Sequence, residues 1–241
     1  GYEYIQLRSD TQLLNNLRIQ LEALNKISFS DGEWERFRNE YLTNPAESVI
    51  EKTRKIQDDY IQVLKRDDGS PQNIYLIDKS NVHNNKLQVL NQYEAPDGRH
   101  PSRYDVTILV NGFPMVHIEL KRRGVALREA FNQINRYNRE SFWSGSGLFE
   151  YVQLFVISNG THTKYYSNTT RKKHLVEMKP GSLPRGKKGS HSFEFTSFWA
   201  DSANRTIPDL VDFTRTFFAK HTLLNILTRY CVFNSQDELL V

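Results

Sequence analysis

Cysteine is almost absent from this chain: Cys231 is its single thiol, so no internal disulfide can form and no cysteine-rich zinc site can be built. It stands in an apolar stretch and reads as a small buried hydrophobe rather than a nucleophile. Long apolar runs are missing too. No segment approaches the roughly 20 apolar residues a membrane span needs, and Gly1 to Ser9 lacks the basic-then-apolar order of a signal peptide. A soluble, cytoplasmic protein with no membrane partner is expected. Histidine is sparse, seven in all, with no paired metal-ligand spacing, and His117 reads as a strand-face residue. Neither charge sign dominates: 32 basic against 28 acidic residues leave +4, which suits a polyanionic partner without requiring one.

What is present is enough to fold. Hydrophobic residues make up 38% of 241, with 12% aromatic, too much apolar material for a disordered segment and enough length for one sizeable core. Three parts of one domain are expected: a helical N-terminal part over residues 1–70, a core over 71–170, and a basic loop with a C-terminal helical part over 171–241. Leu13, Leu14, Leu17, Leu21 and Leu24 recur at helical spacing, predicting a helix from Ser9 to Lys26. Ser30 with Glu33 is a capping box opening a helix to about Leu42, and Asn44, Pro45 and Glu47 predict a third helix reaching Lys65. Asp67 to Pro71 breaks the chain, and the pattern then changes to strands at Asn73–Asp78, Leu87–Glu94, Tyr104–Val110 and Met115–Lys121. Helical spacing returns over Ala126–Arg139. Tyr151–Ser158 is the near-continuous apolar run of a strand covered on both faces, Thr163–Asn168 reads as another strand, and Asp209–Phe233 as helix. This order describes an α/β domain: a mixed central sheet flanked by helices, with extra helices at both ends.

The chemistry concentrates in the hairpin around Asn111-Gly112, a strong short-range turn signal. Side chains alternate along strands, so Asp105, Thr107 and Leu109 share one face while His117, Glu119 and Lys121 share one face of the next strand. With a three-residue loop, Val110 pairs with Pro114 and Asp105 lies opposite Glu119; a two-residue loop separates the carboxylates unless a bulge intervenes. Two opposed carboxylates repel, so such a pair points to a cation, and Mg²⁺ takes hard oxygen ligands while keeping waters for a phosphate to replace. Lys121, two residues beyond Glu119, can hold the attacking water and offset charge on the transition state. The bland alternative is an ion pair between Glu119 and Lys121 on a solvated face.

Other features carry less. Pro96-Asp97-Gly98 has turn chemistry. Gly181 to Lys188 approaches a phosphate-binding P-loop but places Lys188 where a hydroxyl is needed. Asn159-Gly160-Thr161 and Asn168-Thr169-Thr170 match glycosylation acceptors by chance. The basic clusters Lys121-Arg122-Arg123, Arg171-Lys172-Lys173 and Arg185-Gly186-Lys187-Lys188 can neutralise DNA phosphates or form solvated loops.

Arg103-Tyr104-Asp105-Val106, Ile118-Glu119-Leu120-Lys121 and Gln133-Ile134-Asn135-Arg136-Tyr137 together resemble the PD-(D/E)xK nuclease superfamily, specifically its RecB-like branch with a Gln-x-x-x-Tyr helix. The stretch from Arg103 to Gly124 is similar to the N-terminal nuclease domain of type I restriction R subunits. The resemblance runs from about Leu87 to Gly160, with Tyr104 standing where the superfamily's name has proline. It implies a restriction-endonuclease-like fold, a metal held by Asp105, Glu119 and the Leu120 carbonyl, and hydrolysis assisted by Lys121. It also implies that Gln133 and Tyr137 support the site or DNA, while Arg122 and Arg123 are candidates for DNA contact on their own account, because their basic cluster adjoins the proposed metal. In that family Mg²⁺ is the cofactor, ATP serves only motor domains that follow, and modification and specificity subunits supply recognition. The ends at Gly1 and Val241, without helicase motifs, read as those of a piece, with an acidic helix expected before Gly1. A standalone RecB-like repair nuclease and a non-catalytic DNA-binding or subunit-docking module are the alternatives.

Overall fold

In the computed structural model of the chain, residues 1–95, 102–140, 147–170, 173 and 191–240 are described, with the side chains at 94–95, 102–103 and 135–140 outside that description. The short strand β1 (Glu3–Tyr4) precedes α1 (Asp10–Asn25), which starts where Ser9 Oγ accepts the Gln12 N–H at 3.2 Å. It ends at Lys26, whose left-handed backbone (φ 54°) turns its N–H back to the Glu22 carbonyl. Leu13, Leu17 and Leu21 form its buried stripe. The Ser30/Glu33 capping box opens α2 (Asp31–Phe37), and a π-helical turn carries it on to Leu42.

The third helix departs from expectation at both ends. Asn44 makes only a local turn, its Oδ1 accepting the Ala46 N–H. The helix α3 (Val49–Gln57) begins instead at Ser48, whose capping box with Glu51 satisfies two otherwise orphaned N–H groups. It stops before Asp58-Asp59, residues that compete for backbone hydrogen bonds and favour helix ends. Ile61–Lys65, expected as helix, is strand β2, paired antiparallel with β3 (Pro71–Tyr75) across a turn in which Gly69 takes φ 86°. This hairpin crosses residue 70, so the N-terminal part is not purely helical. The strand expected over Asn73–Asp78 accordingly lies two to three residues earlier.

The central sheet has six strands in the order β1, β4 (Leu87–Ala95), β5 (Ser102–Val110), β6 (Phe113–Leu120), β7 (Leu154–Ser158) and β8 (Thr163–Ser167). The pairs β1–β4 and β6–β7 are parallel and the rest antiparallel, so the sheet is mixed, as its α/β pattern predicts. Between β6 and β7 the chain crosses over through α4 (Leu127–Glu140), whose Ala130, Phe131 and Ile134 are buried. All five residues of β7 are buried, the signature of a strand covered on both faces.

The turn between β5 and β6 places the site. Asn111 (φ 50°) and Gly112 (φ 85°) form a two-residue loop, so Val110 pairs with Phe113 and Leu109 with Pro114. The three-residue loop with Val110 opposite Pro114 is therefore not the one adopted. A bulge between Ile108 and Leu109 then shifts the register by one, pairing Ile108 with Val116 and Val106 with Ile118. Asn111 is locked in place: its side chain donates to Asn85 Oδ1 (2.7 Å) and the Leu76 carbonyl (3.2 Å) and accepts the Lys86 N–H (2.9 Å).

The C-terminal stretch is two helices rather than one, α5 (Leu210–Thr216) and α6 (Lys220–Asn225), followed by a π-helical turn to Tyr230. Ala219 leaves the helical region at the break (φ −55°, ψ 131°), and the adjacent Phe217 and Phe218 are both buried. Cys231 is buried, and burial pushes its thiol up to about 12. Among the described residues no helix is long and apolar enough to cross a membrane. Pro96–Gly98, Gly181–Lys188 and, apart from Lys173, the basic loop at 171–190 lie outside the described residues.

Candidate active site

The β5–β6 ladder ends at Val106 and Ile118, one residue short of Asp105 and Glu119. The ladder is irregular at this point. Gln92, which the β4–β5 register would place beside Asp105, has φ 51° and makes no such pair. On the other side, Asp105 Oδ2 accepts the Leu120 N–H at 2.8 Å. A carboxylate thus replaces a backbone carbonyl in the ladder, fixing Asp105 at the C-terminal end of β6. Burial raises the Asp105 carboxyl above the usual range; the Leu120 N–H opposes this, Glu119 adds to it, and Lys121 and His117 pull it down.

Glu119 is fully buried. Its Oε1 accepts from Lys121 Nζ at 2.9 Å, and Lys121 Nζ also donates to Gln133 Oε1 on α4. Its Oε2 has no hydrogen-bond donor among the described residues, and the His117 ring nitrogen Nε2 lies 3.8 Å away. A buried carboxylate oxygen without a donor is costly unless something else meets its charge. Two carboxylates and the adjacent Leu120 carbonyl are hard oxygen donors, so the residues present fit a divalent cation that keeps part of its water shell. Three-residue clusters of His, Cys, Asp and Glu with metal-holding geometry are absent among the described residues. A cation here would draw on these two acids, a carbonyl and water.

The structure therefore brings together Asp105, Glu119, Lys121 and Gln133. The backbone of Tyr137 follows Gln133 by about one helical turn on α4, with its side chain outside the description. Arg122 and Arg123 are exposed in the loop after β6. Tyr104, standing where the superfamily's name has proline, is a core residue packed against Tyr93, Phe149 and His117. Sequence reasoning passed over Asn159, which holds the loop behind Lys121. The Lys121 N–H donates to the Ser158 carbonyl, and Asn159 Nδ2 donates to the Val125 carbonyl. Its Oδ1 accepts the Thr161 and His162 N–H groups, leaving a buried side chain unsuited to a glycan. Only the Asn-Gly turn signal could have pointed to it.

A six-stranded mixed sheet flanked by helices, with two acids on adjoining central strands and a lysine just past the second of them, places the protein in the restriction-endonuclease-like class. Residues 1–174 match the family described as type I restriction enzyme R protein N terminus. The chain is 52% identical over 242 residues to the type I restriction enzyme EcoprrI endonuclease subunit of Escherichia coli, covering all of this chain and 72% of that protein. It is 37% identical over 246 residues to the SsaAORF53P endonuclease subunit of Staphylococcus saprophyticus, covering all of this chain but 24% of that protein. A putative subunit of Methanocaldococcus jannaschii, MjaIXP, is 31% identical over 103 residues, 40% of this chain and 9% of that protein. The chain belongs to the family of type I restriction enzyme R protein N termini, and it spans about a quarter of the staphylococcal relative it matches end to end.

Proposed function

We propose that this chain is the Mg²⁺-dependent endonuclease domain of a type I restriction R subunit and hydrolyses DNA phosphodiesters at Asp105, Glu119 and Lys121. The observation that carries the reading is the buried Glu119 Oε2 without a donor, beside a second carboxylate held at the end of the neighbouring strand. Asp105, Glu119 and the Leu120 carbonyl would hold Mg²⁺, which when bound polarises the phosphate and offsets its charge. Lys121, held against Glu119 and Gln133, orients the attacking water and balances negative charge that grows on the phosphate oxygens. Gln133 sets the position of the lysine, and Tyr137 belongs to the same helix. Arg122 and Arg123 adjoin this point and supply phosphate contacts without base reading.

Sequence recognition is then delegated to modification and specificity subunits and ATP-driven movement to other parts of the subunit, in the cytoplasm. The decisive experiment is cleavage of supercoiled plasmid by the assembled complex carrying Asp105→Ala, Glu119→Ala or Lys121→Ala. Each is expected to abolish cutting and leave ATP hydrolysis intact. Cutting at the wild-type rate by the Asp105 variant would refute the site. Binding to DNA is expected to weaken as salt rises, and affinity independent of salt would refute the phosphate contacts.

A further inference from the structure

The face of the sheet that carries the acids continues, strand by strand, into a different kind of surface. Glu119 pairs with Ile157 and Ile157 with Lys164, while the bridge between Tyr165 and Ser197 sets Phe198 opposite Lys164. At about 4.8 Å per strand, Phe198 stands roughly 14 Å from Glu119 along one row. Lys164 Nζ lies 4.8 Å from the centre of the Phe198 ring and 5.2 Å from that of Phe193. It is tethered there by Thr196, whose carbonyl and hydroxyl accept from it at 3.3 and 3.1 Å. Next to it, Phe195 is 62% exposed and Phe198 37% exposed, with Lys173 Nζ 5.8 Å from the Phe195 ring. The acid that precedes Phe195, Glu194, faces His191 at 3.6 Å.

The strip also reaches the site around its rim. The His162 ring meets Phe198 edge-on at 6.4 Å, and Arg123 lies against Gly160 in the same β7–β8 turn. Arg123 follows Lys121 by two residues. Exposed phenyl rings alternating with cations, on the face and rim of a phosphodiester site, match single-stranded nucleic acid: rings stack on bases of any sequence and cations follow the backbone. Duplex DNA hides its base faces and gains nothing from the rings.

We propose that Phe195 and Phe198, braced by Lys164 and joined to the site by Arg123, form a stacking platform that holds a single-stranded segment of the DNA being cut. The proposal deepens the nuclease reading and rests on it for the identity of the strand. The platform acts before chemistry, so it is read by binding alone.

The test is fluorescence anisotropy of the 241-residue chain with a labelled oligothymidylate, and with a duplex of equal length, in calcium to prevent cutting. The wild-type chain is expected to favour the single strand. The double substitution Phe195→Ala/Phe198→Ala is expected to lower single-strand affinity about tenfold and leave duplex affinity and melting temperature unchanged. Phe195→Tyr/Phe198→Trp should retain the affinity, and Lys164→Gln should flatten its salt dependence. Unchanged single-strand binding in the alanine pair, or an equal loss for duplex, overturns the platform. So does binding of neither probe by wild type. Failure of the two readings is separable: loss of plasmid cutting by Asp105→Ala in the assembled complex bears on the catalytic site, and loss of single-strand binding by the alanine pair bears on the platform.

Discussion

Replacing Asp105 with asparagine removes a charge but keeps an oxygen for the Leu120 N–H, whereas alanine removes both. The bond at stake is 2.8 Å long. A buried donor left without its acceptor costs about 1–3 kcal/mol, and the low end applies because Leu120 is 36% exposed and water can reach it. Against this stands the cost of the charge. Burial first, and Glu119 after it, raise the Asp105 carboxyl, so the folded protein holds a proton at a pH where the unfolded chain has released it. Ionised Asp105 therefore lowers stability above that raised value, and the loss fades as pH falls through it. Asp105 is only half-buried, so solvent screens the effect to at most about 1 kcal/mol. In EDTA near neutral pH, Asp105→Asn should melt at or slightly above wild type, and Asp105→Ala, which gains the same relief of charge but loses the bond, about 2–4 °C below the asparagine variant. The advantage of asparagine should shrink on acidification. Adding Mg²⁺ should reverse the order of wild type and asparagine, because a ligand at a hundred times its Kd adds about 2.7 kcal/mol to the form that binds it. Thermal unfolding followed by circular dichroism reads all of these. Asparagine as destabilising as alanine in EDTA, or as responsive to Mg²⁺ as wild type, would refute the reasoning.

Two further outcomes follow from packing. Gly112→Ala places a Cβ 2.6 Å from Leu17 Cα at a left-handed position (φ 85°), so α1 must move and the residue is strained by about 1–2 kcal/mol besides. A clear drop in melting temperature with loss of cleavage is expected, and an unchanged melting curve would refute the packing of α1 on the turn. Lys52 forms a buried ion pair with Glu150 that ties α3 to the turn before β7. Lys52→Met leaves that acid buried and unpaired at about 3–5 kcal/mol, whereas Lys52→Met/Glu150→Gln should recover most of it. Equal melting temperatures for the single and double variants would show that the two groups do not interact.

Local signals in the sequence carried far in this protein. Ser9 and the Ser30/Glu33 box set helix starts because a side-chain oxygen three residues from an N–H needs no distant partner. The apolar run of β7 announces a covered strand, residue type and spacing single out Asp105, Glu119 and Lys121, and the family resemblance adds Gln133. Sequence periodicity alone could not separate Ile61–Lys65 from a helix, because its identity as a strand depends on pairing with β3. Nor could it find β1, two residues long and defined by β4 alone. The alignment of the two acids was undecidable from the Asn-Gly turn, since a two-residue loop by itself puts them on opposite faces. The bulge between Ile108 and Leu109 shifts the register by one toward bringing them together, and the Leu120 N–H holds Asp105 beside Glu119; both are properties of two paired strands. The row that runs from Glu119 through Lys164 to Phe198 likewise joins residues far apart in the chain. Hydrogen bonding between strands aligns them, so only the tertiary structure could place an exposed ring in line with the acids.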